Sequence, residues 1–189
     1  MLTITIKQGK EQSLLDKNPH VYLSFVARVD GKPGERNKQG ATAILQTSSG
    51  QFLARAAYNV KSQISARVWT WDEQEAVDHG LIKRRVKAAV NKRKANKSTA
   101  LIKGEEDGLS GLIVDYFKGQ TEEDSYLICF FNSAGVEAWK VAIVQALIAE
   151  TACPNVYECC DELMRKGEGL PAVFGPLAGE EPPDELMRG

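Results

Sequence analysis

The chain has 189 residues, of which 43% are hydrophobic and 26% are charged. This length suits one ordinary domain or two small ones, and the hydrophobic share is sufficient for a packed core. No apolar run approaches the roughly 18 residues of a membrane span, and the N-terminal residues lack the apolar segment of a signal peptide. The composition therefore excludes a transmembrane protein and predicts a globular one with no membrane partner.

The four cysteines show no metal-binding or redox spacing. Cys159 and Cys160 are adjacent and are poor partners for each other, because a disulfide needs well-separated Cα atoms. Together with Cys129 and Cys153 they are interpreted as reduced thiols, which predicts a cytoplasmic protein.

The net charge of −1 conceals a strong asymmetry along the chain. Residues 1–97 contain 18 Lys and Arg but 8 Asp and Glu, whereas residues 98–189 contain 6 and 17. A basic half can lie against a polyanion that would repel the acidic half. This asymmetry indicates a nucleic-acid partner.

The first 70 residues are rich in short apolar runs that alternate with polar residues. Such runs, separated by Gly, Pro and charged turns, predict strands and a small β-barrel. One helical turn is expected at residues 9–15 and a loop at 30–40. The predicted strands are 2–7, 21–29, 43–47, 51–57 and 64–70.

Residues 72–97 are predicted to form a mostly helical connector. Asp72–Asp78 is acidic, which suits a helix N-terminus, and apolar residues recur at helical spacing from Leu81 to Val90. From Lys83 to Lys97 there are eight basic residues and no acidic one. The pattern allows either a solvated helix face or an RNA-contacting one. His20 and His79 have no metal-binding partner at suitable spacing and are interpreted as structural.

The second half begins with a glycine-rich turn at 101–111, where Glu105, Glu106 and Asp107 stand together. The triplet could bind a metal or act in acid–base chemistry, but a solvated turn is favoured because no further ligand lies at suitable spacing. The remaining residues predict, in order, strand 112–117, strand 126–131, a helix from Asn132 or Ser133 to Glu150, strand 155–159, strand 172–174 and a polar tail.

Three motifs carry a resemblance to a known family. Residues 101–117, LIKGEEDGLSGLIVDYF, and residues 50–69, GQFLARAAYNVKSQISARVW, resemble segments of bacterial large-subunit rRNA (cytosine-5) methyltransferases. A third likeness covers residues 157–169. The motif positions shared with the family include Gly104, Glu105, Asp107, Gly108, Asp115, Asp161, Arg165 and Glu168.

The resemblance implies an α+β architecture with the family's order of parts. It implies a PUA-like RNA-binding β-barrel at 1–72, a basic helical connector at 73–97, a β-β-α-β-β domain at 98–176, and a linker at 177–189 to a methyltransferase domain. S-adenosylmethionine (SAM) is implied for the full-length protein and no cofactor for this chain. We expect no βαβ repeat, no catalytic residue and no metal site in it.

The predicted function is that of the RNA-binding, substrate-positioning region of a SAM-dependent 23S rRNA cytosine-5 methyltransferase, a transferase of rRNA processing, without its catalytic domain. The alternatives are a freestanding RNA-binding protein and a non-catalytic interaction module, the latter because Ser65, Tyr116 and Cys159 depart from the family pattern. A carboxylate-dependent hydrolase is the remote alternative, and a homodimer is left open. RNA contact is predicted at Arg28, Arg55, Lys61, Gln63, Arg67, Lys83, Arg84 and Arg85.

Overall fold

Two β-sheets, one from each half of the chain, organise the fold. The computed structural model describes residues 1–94 and 99–187, and within these ranges a six-stranded sheet precedes residue 71 and a five-stranded sheet follows residue 99. Residues 95–97 of the predicted connector and the last two residues of the predicted linker lie outside the described residues.

The first sheet has the order β2-β6-β5-β4-β1-β3. Its neighbours are antiparallel except β1 and β4, which run parallel. Alternate residues such as Leu2, Ile4 and Ile6 are buried on one side, as a period of two requires. The strands are β1 (Leu2–Ile6), β2 (His20–Tyr22), β3 (Val26–Asp30), β4 (Ala41–Gln46), β5 (Phe52–Tyr58) and β6 (Ile64–Thr70).

Several boundaries in this half differ from the prediction. The strand predicted at 21–29 is two strands, because a 3₁₀ turn at Leu23–Phe25 bends the chain between β2 and β3. These two strands lie at opposite edges of the sheet order. Two short helices, α1 (Gln12–Leu15) and α2 (Pro33–Arg36), lie in the connections, and α2 interrupts the loop predicted at 30–40.

The second sheet has the order β11-β10-β9-β8-β7. The strands β9 and β10 are parallel, and two helices connect them. This connection is a βαβ crossover, so the expectation that the chain contains none is wrong. The strands are β7 (Ala100–Lys103), β8 (Leu112–Phe117), β9 (Tyr126–Phe131), β10 (Val156–Cys159) and β11 (Gly175–Ala178).

The helices of this half cover one face of the second sheet. The long helix α3 (His79–Arg93) begins after Asp78, whose Oδ1 accepts a hydrogen bond from the Leu81 backbone N–H at 2.9 Å. The acidic segment predicted to open the helix is a loop instead. The apolar stripe from Leu81 to Val90 is buried, which confirms that part of the prediction.

The remaining helices and the C-terminal tail differ from the prediction. The helix predicted from Ser133 to Glu150 is two helices that meet at Trp139, and the tail contains both β11 and a helical turn. No helix within the described ranges is long and apolar enough to cross a membrane. The helices are α4 (Ala134–Ala138), α5 (Lys140–Thr151), α6 (Glu162–Gly167) and α7 (Asp184–Met187).

The strand β6 has two buried faces and joins the halves. Ala66 and Val68 pack into the core of the first sheet, whereas Trp69 packs into the core of the second. The approach of α4 is close, because a Cβ added at Gly135 would lie 2.7 Å from the Cβ of Ala57 on β5. A Cβ at Gly40, before β4, would likewise overlap the carbonyl of Ala134. The helix α4 therefore packs on the first sheet through residues with little or no side chain.

Candidate nucleic-acid interface

Arg67 lies where the two halves meet, on the face of β6 that points toward the second sheet. Its side chain is 9% exposed, and Nη1 donates to Ser110 Oγ at 3.1 Å and to Glu105 Oε1 at 3.3 Å. Its Nε lies 3.4 Å from Glu168 Oε1, and the Glu168 side chain is itself buried. A buried arginine with two carboxylate neighbours is a structural bridge between the halves.

Glu105 accepts further hydrogen bonds at this junction. His20 Nε2 lies 3.0 Å from Glu105 Oε1, and Ser110 Oγ donates to the same oxygen at 2.7 Å. The hydrogen bond with His20 is the largest cause that lowers the pKa of the Glu105 carboxyl from 4.5 to about 2, with Ser110 adding to it while burial opposes it. The carboxylate is therefore held in its ionised form.

Asp107 pairs with a second buried arginine. Arg93 Nη1 donates to Asp107 Oδ2 at 2.7 Å and to the Leu101 carbonyl at 2.8 Å, and this hydrogen bond with Asp107 raises the pKa of Arg93. Glu106 lies 3.3 Å from the same guanidinium. All three carboxylates of the triplet thus have protein partners. No group of three or more His, Cys, Asp and Glu arranged for a metal ion occurs in residues 1–94 and 99–187.

The remaining family-motif positions also have structural contacts. Arg165 is fully buried, and its Nη1 donates to the Phe131 carbonyl at 2.7 Å and to Glu137 Oε2 at 2.8 Å. Asp161 caps α6 by accepting from the Met164 backbone N–H at 3.1 Å. Gly104 and Gly108 adopt positive φ values of 62° and 68°, which glycine tolerates best. Burial raises the pKa of the half-buried Asp115 carboxyl.

The eight predicted RNA-contact residues divide into exposed and inward-facing sets. Arg55 Nη1 donates to the carbonyls of Glu73 and Glu75 at 2.6 and 3.0 Å. Arg85 is half-buried and donates to the Gly108 carbonyl at 2.7 Å. With Arg67, these residues are oriented toward the protein. The exposed members are Arg28, Lys61, Gln63, Lys83 and Arg84.

A cleft of about 410 Å³ opens beside this junction. Its walls come from both halves of the chain. The side chain of Asn132 lies in it, as do the exposed apolar side chains of Ile113 and Met164. The sequence predicted no site at these residues and named Asn132 only as a possible start of a helix, because nothing in their local pattern shows that distant segments converge here. The residues that line the cleft include Ile64, Ile102, Lys103, Ile113, Asn132 and Met164.

Comparisons with known proteins show what this chain is similar to. Residues 4–71 match the PUA-like domain family. Along most of its length the chain is similar to proteins named ribosomal RNA large subunit methyltransferase I. It is 34% identical to that of Aliivibrio fischeri over 98% of the chain, 36% identical to that of Klebsiella pneumoniae over 95%, and 38% identical to that of Cronobacter sakazakii over 97%. The chain spans less than half the length of these relatives, 44–46%.

A solved structure has the same fold. A chain of Streptococcus mutans, described as a SAM-dependent methyltransferase, matches 97% of this chain with a TM-score of 0.72 and 15% identity. This chain covers 44% of that one. At such low identity the likeness concerns the fold alone.

These matches correct the function predicted from the sequence. That prediction described an RNA-binding, substrate-positioning region that lacks the catalytic domain. Its alternatives were a freestanding RNA-binding protein and a non-catalytic interaction module. It is wrong, because proteins named as methyltransferases match 95–98% of the chain at 34–38% identity. The matches show that this chain is similar to part of proteins named ribosomal RNA large subunit methyltransferase I.

The βαβ crossover is where an α/β fold would hold the nucleoside of SAM. Polar groups of the segment from β9 to α4 already have protein partners. Ser133 Oγ donates to the Ser110 carbonyl at 2.7 Å, and the Ala134 backbone N–H donates to Glu168 Oε1 at 3.4 Å. Gly135 at the start of α4 packs directly on Ala57, so this part of the edge has no space for a side chain. The residues at this edge do not fit SAM, so no step through SAM is derived from them.

Proposed function

We propose that this chain takes part in methylation of large-subunit ribosomal RNA, with 23S rRNA as the substrate, in the cytoplasm. One observation carries the proposal: relatives named ribosomal RNA large subunit methyltransferase I align with 95–98% of the chain at 34–38% identity. The PUA-like match over residues 4–71 and the four free cysteines are consistent with it.

Contact with RNA is proposed on the exposed cations of α3. Lys83, Arg84 and Lys87 lie on the face of the helix opposite its buried stripe. Arg84 also forms an ion pair with Glu75, since Arg84 Nη2 lies 3.3 Å from Glu75 Oε2. Because phosphate contacts are electrostatic, such a surface supports binding that is insensitive to sequence and sensitive to salt. Lys61 and Gln63, in the turn before β6, extend the proposed contacts to the first sheet.

The proposed activity is tested in cells that lack the gene for this protein. Mass spectrometry of 23S rRNA fragments is expected to show that one methyl group is lost and that the intact gene restores it. An unchanged methylation pattern in the deletion strain would overturn the proposal.

The proposed surface is tested with a charge-reversal pair. The double variant Lys83→Glu and Arg84→Glu is expected to bind a structured 23S rRNA fragment more weakly and with a shallower dependence on salt, by about two counterions in the slope. Lys32→Glu with Lys38→Glu is the matched control, since both lysines are exposed near α2, away from α3. Equal loss of binding in the two double variants would show that only overall charge matters.

A further inference from the structure

The cleft between the two halves, called here the Asn132 cleft, has several apolar side chains in its lining beside a buried amide oxygen that has no hydrogen-bond partner among the described residues. Ile64 comes from β6, Ile102 from β7 and Ile113 from β8. Two members of the lining are unusually exposed for apolar side chains, Ile113 at 42% and Met164 at 46%. Exposed apolar side chains that surround a concavity are typical of a binding site.

Asn132 supplies the polar group. The residue is 4% exposed, and its Oδ1 has no hydrogen-bond partner within the described part of the chain. Its backbone N–H donates to the Gly111 carbonyl at 2.8 Å, which holds the residue in place at the end of β9. A buried acceptor without a donor costs free energy, and this cost is relieved when a ligand supplies an N–H group.

The surroundings of the cleft narrow the class of ligand. The side wall carries Arg67 and Glu105, which satisfy each other, so a strongly charged ligand finds no uncompensated charge there. Exposed Lys103 lies at the rim, and Ile64 directly follows the proposed RNA-contact residue Gln63. A phosphate chain that passes this rim would carry its attached bases past the opening of the cleft.

We infer that the Asn132 cleft accommodates one unpaired nucleobase of the RNA substrate. The base stacks against the apolar side chains of Ile113 and Met164, and an N–H of its Watson–Crick edge donates to Asn132 Oδ1 after a small rotation of the asparagine side chain. Unpaired bases of RNA are recognised by stacking on flat side chains together with edge hydrogen bonds, and here the aliphatic side chains of Ile113 and Met164 take the place of the flat ones. The inference rests on the proposed RNA substrate and adds to it a site for a single base.

The test compares two RNA hairpins that carry the same phosphates. One has a single bulged adenosine, and the other has an abasic residue at that position. Fluorescence anisotropy is expected to show that the wild-type protein binds the bulged hairpin about tenfold more tightly, the preference that one hydrogen bond and the apolar contacts of one base provide. Equal affinity for the two hairpins would overturn the inference.

Two exposed neighbours on α6 provide a matched pair of variants. Met164→Glu places a charge in the cleft and is expected to abolish the preference for the base, while salt-dependent binding of both hairpins persists. Leu163→Glu makes the same change at a residue that is 83% exposed and lies outside the cleft lining, and it is expected to retain the preference. A preference that survives Met164→Glu would contradict the inference.

Asn132→Leu removes the hydrogen-bond acceptor while keeping the size of the side chain. The ratio of the affinity for the bulged hairpin to that for the abasic hairpin is expected to fall severalfold. If this variant does not fold, Ile113→Glu gives the same information as Met164→Glu at an exposed position of the opposite wall. The gene-deletion test of rRNA methylation does not involve either hairpin. Loss of the methyl group without a base preference would therefore overturn the site and leave the proposed function standing.

Discussion

The Nε of Arg67 lies 3.4 Å from Oε1 of Glu168, and both side chains are almost fully buried. The arginine comes from the first sheet and the glutamate follows α6, so the pair joins segments from opposite ends of the sequence. Each of these two buried charges is stabilised by the other, because water cannot reach either side chain to replace a lost ion pair.

Replacement of Arg67 by Met is expected to lower the free energy of unfolding by about 3–5 kcal/mol, since Glu168 then remains buried without its cation. Urea denaturation measures the change. Arg28→Met is the control: Arg28 pairs with Asp30 at 2.9 Å on the exposed surface, and its loss is expected to cost about 0.5 kcal/mol or less. A small effect at Arg67 would show that the guanidinium is not needed for joining the halves.

Glu105 is expected to give stability a specific dependence on pH. Because the pKa of its carboxyl falls from 4.5 to about 2 on folding, the stabilisation is fully present above 4.5 and is lost as the pH falls toward 2. Glu105→Gln should therefore be less stable than the wild type near neutral pH, and the difference should shrink through this range. Denaturation at a series of pH values measures it, and a difference that is constant with pH would contradict the assignment.

Gly111 is expected to tolerate no side chain. Its φ is +89°, and an added Cβ would lie 2.5 Å from both Cβ and Oγ of Ser133. Gly111→Ala should cost about 2–4 kcal/mol, combining backbone strain with overpacking. Gly9, with φ of +87° and no atom within 4 Å of an added Cβ, isolates the strain alone, and Gly9→Ala should cost about 1–2 kcal/mol. Thermal unfolding of the two variants compares them, and equal costs would contradict the clash at Ser133.

The cysteines are expected to react with iodoacetamide in two classes. Cys129 and Cys153 are completely buried, and burial raises the pKa of both thiols. They should be alkylated only after denaturation, whereas the half-buried Cys159 and Cys160 should react slowly in the folded protein. Mass spectrometry of digested samples distinguishes the classes, and rapid native alkylation of Cys129 would show that the core of the second sheet opens.

The regular strands could be predicted from sequence because their pattern is local. Residues 64–70, 112–117 and 126–131 are observed with the predicted bounds. Periodicity carried no information about β7, a four-residue strand that overlaps the start of the predicted glycine-rich turn. The break at Leu23–Phe25 was also missed, since an apolar run looks the same whether it is straight or bent.

The candidate sites were predictable only in part, because burial of a charged residue depends on distant partners. Arg28 and Arg67 are both strand arginines, yet the first is exposed and the second is covered by Ser110, Glu105 and Glu168. The Asn132 cleft could not be predicted at all. Its walls converge only after the second sheet has packed on β6.

The contacts of Gly40 with Ala134 and of Gly135 with Ala57 pack α4 on the first sheet with no room for a side chain between them. If RNA touches both α3 and the turn at Lys61, as proposed above, its two contact points lie on one closely packed body. Any adjustment of span must come from the nucleic acid, through a bulge or a bend. On this proposal, an RNA of one shape makes both sets of contacts, and an RNA of another shape leaves one set unmade.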